Sequence, residues 1–184
     1  TLENYYTLLN CGLNLMPTAG TANGVHPVPL GFSRAYVHLP GGFSYEKWKD
    51  GLAAGRSFIT TGPMLFATVN RRAPGEQFSS TESSFTALVE GEILSEQPLC
   101  FAEILHDGQP VRTIMGRNER TDSGAYRTVF RAEISMTQSG WLAVRAWEDR
   151  PGGRVRYAHT APWQVTLEGR PRLPRVAERD YLVE

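Results

Sequence analysis

The hydrophobic pattern of this chain changes its period near residue 72, and that change constrains the fold more than any other feature. Upstream, Leu2, Tyr5, Tyr6, Leu8 and Leu9 recur at helical spacing, with Gly12 placed to cap the helix. Residues 16–20 read as a short strand entering a loop over 21–33, which Gly24, Pro27, Pro29 and Gly31 keep irregular. Residues 35–39 read as a strand. Ser44 is placed as an N-cap, Phe43 and Trp48 as a hydrophobic staple, Glu46 as a first-turn acid and Gly55 as a stop, so the spacing predicts a helix between Ser44 and Gly55. Ser57, Phe58, Ile59 and Thr60 return as a strand. This order, helix and strand by turns, belongs to an α/β arrangement.

Beyond the turn-rich junction Arg71-Arg72-Ala73-Pro74-Gly75 the period is two. Phe85, Ala87 and Val89 alternate with other neighbours. Residues 99–105 and 111–115 flank Asp107-Gly108, a strong hairpin signal because both residues tolerate positive φ. Tyr126, Phe130, Ala132 and Ile134 share one face; Leu142, Val144 and Ala146 repeat the pattern, as do Trp163, Val165 and Leu167. Several short strands at this spacing predict a β-sandwich. The last stretch, 175–184, starts a helix.

Charge excludes some functions. Nineteen basic residues balance nineteen acidic ones, and the arginines are scattered, so neither a nucleic-acid groove nor an anionic membrane is indicated as partner. No apolar run is long enough for a membrane span. Cys11 and Cys100 lack metal spacing and read as buried free thiols. The chain opens at Thr1 without an initiator Met or a leader, which points to an excerpt of a longer polypeptide.

Motifs for chemistry are sparse. Four histidines are present, with no HxH, HExxH or CxxC pair. His26 sits in a Gly/Pro-rich loop, where it could meet a metal or merely pack; His38 lies along a strand, His106 beside a turn, His159 before the last strand. There is no G-x-S-x-G elbow, and Gly20-x-x-x-Gly24 lacks the Lys-Ser/Thr of a phosphate loop. Thr60-Thr61-Gly62-Pro63 reads as a tight turn.

Three runs carry a family resemblance: Tyr5-Tyr6-x-Leu8-Leu9-Asn10-Cys11-Gly12 with Pro17-Thr18-Ala19-Gly20-Thr21; Gly31-Phe32-Ser33-Arg34-Ala35-Tyr36-Val37; and Ser44-Tyr45-Glu46-x-Trp48-x-x-Gly51-Leu52-x-Ala54-Gly55-Arg56-Ser57-Phe58-Ile59-Thr60-Thr61-Gly62-Pro63. A fainter match is Ala158-His159-Thr160-Ala161-Pro162. Together they resemble the carbaryl-hydrolase-like branch of the polymerase-and-histidinol-phosphatase (PHP) metallohydrolases. The resemblance implies that residues 1–72 are the end of a PHP-type β/α barrel, 73–170 an appended all-β, immunoglobulin-like sandwich and 171–184 a tail. It also implies a divalent metal, zinc or manganese, in the complete barrel, with most ligands upstream of Thr1 and none held by this fragment alone. The family's late motif, Ala-Gly-Ser/Thr-Asp followed by His, has Ala22 at the Asp position and Gly24 two further on, with His26 falling later.

The expected function is therefore the C-terminal fragment of a metal-dependent hydrolase of small molecules, or of a degenerate non-catalytic relative, inactive alone. His26 is the residue it would bring near the metal, with Asn23 and Arg34 orienting a substrate. Its expected partners are the upstream barrel segment and, through bare apolar edges, a second copy of itself. The rival reading is a β-sandwich binding or structural module for a protein partner or polysaccharide. Exposed indoles at Trp141, Trp147 and Trp163 would support it; core packing would not.

Overall fold

The structure, a computed structural model, describes residues 2–22, 24, 27–148, 150, 152 and 156–181. In chain order the elements are α1 (Leu2–Asn10), β1 (Arg34–Val37), α2 (Tyr45–Ala53), β2 (Ser57–Thr60), β3 (Met64–Val69), β4 (Gln77–Ser80), β5 (Phe85–Ser95), β6 (Leu99–His106), β7 (Gln109–Met115), β8 (Glu119–Arg120), β9 (Tyr126–Met136), β10 (Gly140–Glu148), β11 (Arg156–Thr160), β12 (Trp163–Leu167) and α3 (Val176–Tyr181). None of the helices is long and apolar enough to cross a membrane.

The strands form two sheets, one of eight strands and one of four, the latter in the order β3-β5-β9-β8. The larger sheet is organised on β10. One edge of β10 pairs with β6, which continues to β7; the other edge is shared, β12 taking Gly140–Leu142 and β11 taking Arg145–Glu148. β11 carries β2 and β1 outward, and β12 carries β4 in parallel. Alternation explains the core. Leu65 and Val69, Val89 and Ile93, Phe130 and Ile134 face inward from one sheet; Ile104, Val144, Trp163 and Val165 meet them from the other. Each such fully buried aliphatic side chain contributes about 1.5–3 kcal/mol. Asp107 and Gly108 have φ of 49° and 81°, the two-residue β6–β7 hairpin that the sequence signals.

The first seventy residues differ from expectation. β1 and β2, although separated by α2, pair antiparallel, whereas successive strands of a β/α barrel are parallel. The reason is that β2 is claimed by β11, Ala158 facing Thr60, so that it belongs to the sandwich sheet. β3, whose Leu65, Ala67 and Val69 alternate with outward side chains, was hidden between the turns and joins the other sheet. Strands on both sides of residue 72 thus share the same sheets and core. Residues 13–22 carry no regular structure; the Tyr5 hydroxyl ties that stretch down by donating to the Leu15 carbonyl at 3.0 Å. Ser44 caps α2, its Oγ accepting from the Lys47 N–H at 3.2 Å. Phe43 does not form the expected staple, being 77% exposed, and Trp48 stacks on Tyr45 instead. Cys11 is half-buried and Cys100 exposed, so the second thiol is not the core residue expected.

Candidate functional site

Two clusters of polar and aromatic side chains stand out. The first lies under α1, on the outer face of the larger sheet. Tyr6 and Leu9 pack there on Leu105, Trp141 and Ala143. Beneath them His159 is buried, with Nδ1 2.6 Å from the Thr160 carbonyl and Nε2 2.7 Å from the Tyr6 hydroxyl. A carbonyl only accepts, so Nδ1 carries the proton and Nε2 accepts from Tyr6. Arg145 in turn donates to the Tyr6 oxygen at 3.4 Å and is paired with Glu103 at 2.8 Å. Burial holds the imidazole neutral, its pKa lowered to about 4; the Thr160 carbonyl opposes the shift and the Arg145 charge adds to it. Burial likewise raises the Tyr6 phenol, against the pull of Arg145.

The chain end is bolted to the same face. The Asn10 amide donates to Glu178 Oε1 at 2.7 Å and to the Asp107 carbonyl at 3.2 Å, while its oxygen accepts from Trp141 Nε1 at 2.7 Å. Arg172 donates to the Leu9 carbonyl at 2.5 Å. These groups bond to one another in a place where His159 is 1% exposed, so the cluster fastens α1 and α3 to the sheet.

The second cluster is open. A cleft of about 770 Å³ runs between the β1–β2 pair and β3. Its apolar lining is Tyr36 stacked on Phe58 (5.3 Å between centroids), with Phe66 edge-on to Phe58 (5.9 Å). His38, Arg56, Ser57 and Arg71 add polar groups. This is the size and mixture of a binding cleft. The sequence does not show it because its walls come from β1, β2 and β3, which belong to two sheets; the alternation of Leu65, Ala67 and Val69 is the local signal for β3.

Of the residues singled out in the sequence, Asn23 and His26 lie outside the described residues. Arg34 is exposed; its Nε donates to the Gly31 carbonyl and Nη1 reaches the Tyr36 hydroxyl at 3.4 Å, so it braces the entry to β1. The Thr60–Pro63 segment is a tight turn, with Thr60 Oγ1 bonded to the Pro63 carbonyl at 2.6 Å and to the Gly62 N–H at 2.8 Å. Among the described residues no group of three or more His, Cys, Asp or Glu side chains could hold a metal ion. Trp141 and Trp163 are fully buried; Trp147 is half-buried between Phe101 and the Arg145 guanidinium. The three indoles therefore do not make an exposed aromatic platform.

No protein-family model, curated protein or solved structure matches the chain. The mostly-β, two-sheet fold stands on the strand pairing alone.

Proposed function

We propose that this chain is the C-terminal portion of a PHP-type metal-dependent hydrolase, or of a relative that has lost catalysis, and that it does not act alone. The observation that carries the reading is where bare apolar surface lies. The stretch that holds the resemblance also holds Leu30, Phe43 and Tyr45, 76%, 77% and 64% exposed, with Leu13 and Leu15 exposed beside them in sequence. Side chains of this kind on a loop and a barely covered helix suit packing against further polypeptide. The antiparallel β1–β2 pair is then the seam between barrel and sandwich rather than a barrel repeat, and the sandwich, immunoglobulin-like in this reading, packages the barrel. The metal belongs to the missing barrel: Ala22 offers no donor where the family has a carboxylate, and the described side chains do not by themselves make a coordination sphere.

Calorimetric titration of zinc or manganese into the polypeptide should show no stoichiometric binding tighter than about 10 μM. A tight one-to-one isotherm would overturn the claim that the ligands lie elsewhere. The bare stretch has a second consequence, self-association. Light scattering should give a mass near twice 20.5 kDa at high protein concentration, and a monomer throughout would count against it.

A further inference from the structure

The β3 edge beside the open cleft is incomplete in a specific way. In β3 the Asn70 N–H bonds to Leu88 across the β5 ladder, whereas the Val69 N–H turns the other way and bonds to the Arg72 carbonyl. Antiparallel pairing alternates, so the peptide groups of Leu65 and Ala67 point away from β5 as Val69 does. Nothing among the described residues pairs with them: β3 ends its sheet. The chain itself begins a neighbouring strand and abandons it. Asn70 and Arg71 (φ 48° and 65°) turn it back, Arg72 makes a single bridge to Val69, and Pro74 then leaves the edge, lacking an N–H to continue the ladder. Gly75 is already engaged elsewhere, donating to the Pro162 carbonyl.

β1 borders the same cleft through Tyr36 and Val37. Its strand partner is β2, and α2 packs on it. The cleft thus has the unpaired β3 edge on one side and the Tyr36–Phe58 stack on the other. Ser57 Oγ, on a residue 2% exposed that lines the cleft, has no hydrogen-bond partner.

The charges choose among occupants. The two carboxylates at the cleft are engaged, Glu92 with Arg127 at 2.6 Å and Glu90 with Arg131 at 3.3 Å. Arg56 and Arg71 line the same cleft and form no ion pair among the described residues. A cleft with two uncompensated guanidiniums beside a free strand edge fits an extended backbone carrying carboxylates. We infer that the β3 edge accepts an extended, acidic segment of a partner polypeptide, which adds a fifth strand to the smaller sheet, seats apolar side chains on Tyr36 and Phe58 and places acidic ones at Arg56 and Arg71. The inference stands on the β3 edge and needs no barrel; metal titration and peptide binding can fail independently.

The test uses the whole chain and a fluorescein-labelled peptide, Glu-Val-Thr-Val-Glu-Val-Glu, read by anisotropy. A second peptide has Lys for each Glu, and a third has Pro at its central position. The acidic peptide should bind at least about tenfold more tightly than either, and Arg71→Asp should weaken it about tenfold. Amide exchange supplies the reading that side-chain contact alone would not move. The Leu65 and Ala67 amides exchange quickly in the free protein and become protected when the acidic peptide saturates. Equal binding of the lysine peptide, or binding without protection of those two amides, overturns the inference. So does protection that appears with rising protein concentration and no peptide, since the lane is then filled by a second copy.

Discussion

Gly75→Ala will destabilise the protein by about 3–5 kcal/mol, a loss of about 10 °C in Tm for a chain of this length. Two causes add. Gly75 has φ of 84°, a left-handed conformation that costs an L-residue about 1–2 kcal/mol. A Cβ there would lie 1.9 Å from the Ala54 carbonyl oxygen, and backbone cannot swing aside as a side chain can. The crossing is tight from both partners: a Cβ on Gly55 would come 3.1 Å from the Gly75 Cα and 2.3 Å from Met16 Sδ. The end of α2 and the turn after β3 therefore touch backbone to backbone. Urea unfolding of the variant beside the parent measures the effect; a midpoint within error of the parent would show that the two segments do not meet in this way.

Acidification will draw about 3 kcal/mol from the fold through His159 alone. Its folded pKa is lowered from 6.5 to about 4, so between those values the unfolded chain takes up a proton that the folded one refuses. The stabilisation is whole above pH 6.5 and is lost as pH falls toward 4. His159→Phe removes the titration. At pH 7 it costs about 1–3 kcal/mol, because the Tyr6 hydroxyl loses its acceptor in a buried place. Yet the variant's stability should fall less steeply than the parent's from pH 6.5 to 4. Urea midpoints across that range read the difference; parallel curves would mean that the imidazole titrates freely in the folded state.

Much of the sandwich was legible because period-two burial is a local signal. Phe85, Ala87 and Val89 announced β5, and Asp107-Gly108 announced the hairpin after β6. What escaped was membership rather than existence. Residues 57–60 read as a strand and are one, but their partner is Ala158–Thr160, a pairing that no neighbouring residue encodes. A strand-helix-strand order suggested parallel neighbours; the distant β11 decided otherwise. The Tyr6–His159 contact joins residues 153 apart, so each read alone as ordinary packing. The cleft was invisible for the same reason, its walls arising from three strands that sequence order does not place face to face.

That reach has a consequence for synthesis. β2 waits for β11, β4 waits for β12, and Asn10 waits for Glu178, the first and last helices closing on each other. Contacts so far apart make folding slow, since the chain must close wide loops before they reward it. On the ribosome β2, β4 and Asn10 emerge before the residues that complete them. They stay in need of a chaperone, or of a companion chain, until β11, β12 and Glu178 have left the exit tunnel.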